Sequence, residues 1–174
     1  MMKYDLRWDG KKQRVCFPIR DMNGVLRGLQ GRDVTGQSPD KYWHYVINGQ
    51  ARGADYWLGE HLLDFDKPVV TVEGGFDMTS VARVYPNVTA AMGAKHTLSS
   101  KTKLDRLASA FSIITLFDPN MAGEQARNKM HAWCYKKRLC KDAVFPGEKD
   151  PGELSPQEIR AALLPVIDES LLLP

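Results

Sequence analysis

The chain has 174 residues, 43% hydrophobic and 26% charged, enough for one ordinary domain or a small lobe joined to one, and this composition excludes a disordered or collagen-like protein. Three cysteines, Cys16, Cys134 and Cys140, form no CxxC pair, which excludes a disulfide scaffold and leaves no local spacing for a zinc site. The net charge is +3, with thirteen basic and eight acidic residues over 67–150; this permits a polyanionic partner, while the lack of any long apolar run or apolar N-terminal stretch predicts no membrane partner and a cytoplasmic location.

In chain order, RVCFPIRD and VLRGLQGRDV flank Asn23-Gly24, two strand-like runs around a hairpin signal. Pro18 has no ladder donor, so the first run is expected at a sheet edge or beside a bulge. TGQSPDK over 35–41 is a loop by composition, and YWHYVING behind it is an aromatic strand ending at Asn48-Gly49. From Lys67 short apolar runs alternate with helical patterns, the signature of a parallel sheet, with the boundary at 64–68. PVVTVEGG is a buried strand, 76–84 a short helix and NVTAAMG the next strand. An amphipathic helix over 99–111 and the strand SIITLFD follow, then a helix over 122–138 with Ala122, Ala126, Met130 and Trp133 facing the core, and a strand at 142–146. Ser155, Pro156 and Glu158 form a capping box with proline at the first helical position, which predicts a last helix over 156–164 before the tail DESLLLP. The expected fold is α/β: a small β-rich α+β lobe over 1–66, a parallel-type sheet flanked by helices over 67–152, and a C-terminal helix and tail over 153–174.

Ligands of an open parallel sheet bind beyond the carboxyl ends of its strands, and three such places are acidic here. Glu73 precedes Gly74-Gly75 and Asp77, Asp118 leads through Asn120 to Ala122-Gly123, and Asp150 sits in PGEKDPGE. Carboxylates gathered from several strand ends supply the hard oxygen ligands that Mg²⁺ or Mn²⁺ requires in phosphate chemistry. A single strand-end aspartate is as a rule a helix N-cap or turn residue, so the set, rather than any member, points to a metal. Arg14, Arg20, Arg27 and Arg32 flank the hairpin strands, Lys41 precedes Tyr42 and Trp43, and Arg52 lies between glycine-containing turns. Tyr42, Trp43 and Tyr45 offer stacking faces for bases, whereas alternating arginines on a strand are ordinarily its solvated face. Lys136, Lys137 and Arg138 suit a helix C-terminus. The histidines, His44, His61, His96 and His131, show no ligand spacing.

Taken in order, RVCFPIR, VLRGLQGR, PDKYW, ARGADYWLG, VTVEGGFD, AAMGA, LFDPNMAG and KDPGE resemble the catalytic core of DnaG-type DNA primases, bacterial and phage. The likeness runs from about Arg14 to Asp150 and comprises a basic N-terminal lobe and a Toprim domain. RVCFPIR distinguishes it from the topoisomerase, RNA-maturation and nuclease proteins that share the Toprim unit. The resemblance implies a phage-like primase core, a nucleotidyltransferase that synthesises short RNA primers from ribonucleoside triphosphates on single-stranded DNA beside a replicative helicase, using two or more Mg²⁺ or Mn²⁺ ions and no zinc in this chain. It implies catalytic roles for Glu73 and Asp118, metal ligation by Glu73, Asp77, Asp118, Asn120 and Asp150, and nucleotide or template contacts for Arg14, Arg20, Arg32, Lys41, Arg52 and Lys95.

Two departures bear on that site. Asn120 stands where the family's DxD has its second aspartate, and an amide oxygen brings a ligand without charge. Gly152 stands where many members have a further acidic residue. The cysteine-ligated zinc module that precedes this core in the family is also absent from the chain, which reads as a fragment, a split primase or a protein that has lost priming. A module docking on helicase or single-stranded DNA without synthesis, and a metal-dependent Toprim nuclease, are the alternative readings.

Overall fold

The computed structural model describes residues 4–46, 55–93, 98, 100–135, 139–145 and 147–171. Period-two patterning in the first part builds four antiparallel strands in the order β1-β2-β3-β4: β1 (Arg7–Asp9), β2 (Arg14–Arg20), β3 (Leu26–Asp33) and β4 (Tyr42–Val46). The Asn23-Gly24 hairpin is present, with Gly24 at φ +77° and the Asp21 carboxylate accepting the N–H groups of Asn23 and Val25 at 3.0 Å. Pro18 is tolerated for both expected reasons. The register of β1 on β2 stops at Cys16, which leaves Pro18 paired with Leu29 alone, and a bulge follows between Ile19 and Arg20.

Four parallel strands form the second sheet in the order β6-β5-β7-β8: β5 (Val69–Val72), β6 (Val88–Ala90), β7 (Ser112–Thr115) and β8 (Leu139–Asp142). The first three strands are buried throughout, as a parallel sheet covered on both faces requires. Helices α1 (Gly75–Val81), α2 (Lys101–Asp105), α3 (Met121–Cys134) and α4 (Pro156–Leu171) complete the fold among the described residues. Val70, Val72 and Ile114 point to one face, where Met78 and Val81 of α1 and Ile159, Leu163 and Ile167 of α4 cover them. Val69 and Ile113 point to the other, under Leu104, Leu107, Ala126, Met130 and Cys134.

The two sheets share the first of these cores. Phe17 and Ile19 of β2 are 1% exposed and pack in the same cluster as Val70 and Val72. Phe17 also meets Phe76 edge to face, with ring centroids 5.4 Å apart. A side chain at residue 75 would stand 2.7 Å from the Phe17 ring, so Gly75 is what lets the antiparallel sheet approach the start of α1.

Several elements depart from their sequence expectation. β1 was not foreseen. Strand β8 lies three residues before the expected 142–146, because the half-buried LCKD pairs with β7 while Ala143 and Phe145 enter the core from the loop beyond. Helix α2 is shorter than 99–111. After Asp105 the chain tightens into i→i+3 turns, with Leu104, Leu107 and Ala110 buried three apart. The buried side of α3 is Gly123, Ala126, Met130 and Cys134, so Ala126 and Met130 face the core as expected; Trp133 packs against it half-buried, and Ala122 is half-buried outside it. Helix α4 passes Leu164 and Pro165 because Ile167 and Ser170 remain buried; its capping box is as expected, with the Glu158 N–H on Ser155 Oγ at 3.2 Å and the Ser155 N–H on Glu158 at 2.7 Å.

Candidate catalytic cleft

From β5 the chain crosses to β6 on one side, and from β7 it crosses to β8 on the other, so the winding reverses between β5 and β7. A crevice opens at such a point beyond the carboxyl ends of the strands; Glu73 directly follows β5, and Asp118 stands three residues past β7. Glu73 Oε1 accepts the Asp118 N–H at 3.3 Å, and the Glu73 carbonyl accepts the Met92 N–H at 2.9 Å. Asp77, in the first turn of α1, accepts the Gly74 N–H at 2.8 Å through one oxygen and the Gly152 N–H at 2.9 Å through the other. It thereby ties the Glu73 turn to the 3₁₀ turn Pro151–Glu153, at whose N-cap Asp150 stands. A side chain at residue 152 would lie 2.7 Å from Asp77 Oδ1. An acidic residue there is incompatible with this bond, which explains the glycine.

The opposite wall comes from the first sheet. Arg32 and Tyr42 are register partners on β3 and β4, with the guanidinium 4.8 Å from the tyrosine ring centroid. Together with Lys41 they face Glu73, Gly74, Phe76, Asp77, Gly93, Asp118 and Asp150 across a cleft of about 170 Å³. A larger apolar hollow, about 520 Å³ between Tyr4, Leu6, Val15 and α1, carries no carboxylate.

Crowded carboxylates away from water hold their protons more tightly. Burial, reinforced by the charges of Glu73, Asp77 and Asp150, pushes Asp118 up to about 8. Glu73 is raised by burial and by Asp77 and Asp150, against the opposing Asp118 amide and Arg127. Asp77 is raised by burial despite its two amide donors. Asp118 Oδ1 is buried with no hydrogen-bond partner. Hard oxygen donors, mutual repulsion and an orphaned carboxylate oxygen suit a divalent cation at Glu73, Asp118 and Asp150. Among the described residues, no three such side chains are already drawn together as a finished ligand set.

The structure thus brings Glu73, Asp77, Asp118, Asp150, Arg32 and Lys41 to one cleft and leaves other expected residues elsewhere. Asn120 is exposed, and its Oδ1 caps α3 by accepting the Ala122 and Gly123 N–H groups at 2.9 and 3.0 Å. Arg14 is 3% exposed, and its guanidinium is committed to the Gly31, Asp40 and Lys41 carbonyls and Ser38, where it braces the 35–41 loop. Arg20 bonds the Gly24 carbonyl and Asp5 at the hairpin end. Arg52 and Lys95 lie outside the described residues. Of the three aromatics only Tyr42 lines the cleft. Strand alternation turns Trp43 and Tyr45 to the other face, where Lys12 stands 3.7 Å from the Trp43 ring centroid and Tyr45 bonds Asp9. Phe76, Gly93 and Arg127 were missed. The Arg127 guanidinium donates to the Phe117 and Asp118 carbonyls at 3.3 Å, a contact that depends on how α3 packs and has no local sequence signal.

A family model described as Toprim-like matches residues 70–155. DNA primases of Pseudomonas putida and Deinococcus radiodurans are 32% and 34% identical over 127 and 129 residues, which cover 69% and 68% of this chain. The chain spans only 18% and 21% of those relatives. Among solved structures, the zinc-binding and RNA polymerase domains of Aquifex aeolicus primase share the fold at a TM-score of 0.73 and 19% identity, covering 97% of this chain and 45% of that one. The primase fragment of the bacteriophage T7 primase-helicase protein does so at 0.69 and 21%, covering 98% and 67%. Sequence relatives, the Toprim-like match and the shared fold agree: the chain belongs to the DnaG-type primases, as a segment of their catalytic core.

Proposed function

We propose that this chain is the RNA-polymerase core of a phage-like primase and joins ribonucleoside triphosphates into short primers on single-stranded DNA. The observation that carries the reading is the facing of two walls across one cleft: Arg32 and Lys41 on one side, Glu73, Asp118 and Asp150 on the other. The cationic wall, which Tyr42 shares with Arg32, suits the triphosphate and template phosphates. Glu73, whose proton affinity is raised by burial and neighbouring carboxylates, would take the proton of the attacking 3′-hydroxyl at its carboxylate. Asp118 and Asp150, with Glu73, would hold Mg²⁺ or Mn²⁺, two ions in the full reaction, whose chemistry is to stabilise charge on the transferring phosphoryl group. Asp77 acts through the backbone, keeping the Asp150 turn against the Glu73 turn. Base pairing to the template selects the nucleotide. A relative's structure is described as a DnaG catalytic domain bound to single-stranded DNA, and another comes from a primase-helicase protein; these support single-stranded DNA and a replicative helicase as partners, within the cytoplasm where replication takes place.

A primer-synthesis assay with single-stranded DNA, labelled ribonucleotides and Mg²⁺ or Mn²⁺ tests the reading. Short products from the parent, lost in Glu73→Ala and Asp118→Ala, are expected. Products that persist in both variants would overturn it. Asn120, turned away to cap α3, favours a second reading in which the chain docks on single-stranded DNA without synthesis; binding to DNA with no product under either metal is its signature.

A further inference from the structure

Lys103, in the first turn of α2, has no exposed surface. Burying an ammonium is costly unless it serves its surroundings, and a methionine would fill the same space. Its Nζ donates to the Ala91 carbonyl and stands 5.1 Å from the Trp57 ring centroid, while its own carbonyl accepts the Trp57 indole N–H at 2.8 Å. The nearby Glu60 carboxylate is engaged by Arg106 at 2.5 Å. Ala91 opens a turn that an ordinary residue resists: Met92 has φ +57° and Gly93 φ +100°. Met92 is 4% exposed, its N–H is the donor on the Glu73 carbonyl, and Gly93 lines the cleft.

We propose that Lys103 is a positioning residue for the cleft: by holding the Ala91 carbonyl it keeps the Met92–Gly93 turn left-handed and, through the Met92 N–H, fixes the backbone of Glu73. The proposal rests on reading the cleft as the site of primer synthesis. It accounts for a buried cation that packing alone does not need, in a helix that contributes no side chain to the cleft.

The test compares the parent with Lys103→Met, which keeps length and removes the donor, and Lys103→Gln, which keeps a donor. Lys103→Met is expected to melt at or above the parent temperature, since a buried charge is gone, while kcat for primer synthesis falls by on the order of tenfold with nucleotide KM little changed. Mn²⁺ affinity, read by calorimetry, falls with it, and Lys103→Gln recovers part of both. A stabilised Lys103→Met with parental kcat and Mn²⁺ affinity overturns the proposal. So does loss of the fold in Lys103→Met, which would make the ammonium a packing element. If the parent itself makes no primers, the failure belongs to the proposed function, and the Mn²⁺ comparison still decides for or against Lys103.

Discussion

The bond from Gly152 N–H to Asp77 Oδ1 joins two walls of the cleft's acidic side, and its removal has a calculable signature. Gly152→Ala places a methyl group 2.7 Å from Asp77 Oδ1, well inside van der Waals contact, so either the carboxylate or the 150–153 turn must shift. Relieving such overpacking costs about 1–3 kcal/mol, and a hydrogen bond to a charged group is worth about 1.5–3 kcal/mol. A loss of about 3 kcal/mol in the stability of Gly152→Ala is therefore expected. Asp77→Ala leaves the Gly74 and Gly152 donors without their carboxylate and should cost a similar amount. The two losses share one contact, so the double variant should fall short of their sum by about 1–2 kcal/mol. Urea unfolding of the four proteins gives the coupling directly. Additivity within about 0.5 kcal/mol would refute the view that Asp77 holds the Asp150 turn, and unchanged Mn²⁺ affinity in Gly152→Ala would refute the view that this turn places Asp150.

Burial pushes the Lys103 ammonium down to about 7 from its ordinary 10.5. The unfolded chain therefore holds the extra proton between those values, and this group's own contribution to stability rises by about 2 kcal/mol from pH 7 to pH 9; the cost is fully present below pH 7. In melting curves the parent should gain about 2 kcal/mol on Lys103→Met between pH 7 and pH 9, a difference in which the opposing titration of Asp118, raised to about 8, cancels because both proteins share it. Asn120→Ala should cost about 1 kcal/mol through loss of the α3 cap, whereas Asn120→Asp keeps the cap and leaves Mn²⁺ titration unchanged, since residue 120 lies outside the cleft lining. Tighter binding in Asn120→Asp would restore it as a ligand. Arg32→Ala and Lys41→Ala should each weaken DNA or nucleotide binding and lower the salt slope by about 1, measured by fluorescence anisotropy across salt concentrations.

The sequence was most legible where local chemistry and period agree. The NG hairpin, the Ser155 capping box and the buried apolar run of β5 each carry their own signal, and the strand-end rule singled out Glu73 and Asp118, which line one cleft; Asp150 joins them from the cap of a 3₁₀ turn eight residues past β8 rather than from a strand end. Asp77 was found as a cleft residue, but its work as a backbone clamp depends on Gly152, 75 positions on. Arg14 and Asn120 show the converse. An arginine on a strand and an asparagine after one look alike whether they face a ligand or the chain itself, and only packing separates the two. LCKD was passed over as a strand because its pattern is half polar, the price of sitting at the sheet's edge.

Phe17, wedged above Gly75, ties the cationic wall and the acidic wall into one hydrophobic core. The cleft is consequently a gap of set width rather than a jaw. Its walls cannot swing apart without exposing Val70, Val72 and Met78 to water, so in the proposed reaction a ligand would have to reach the carboxylates without the walls parting. A larger or smaller residue at position 17 would first disturb the close approach to Gly75 at the start of α1, the helix that carries Asp77 into the cleft.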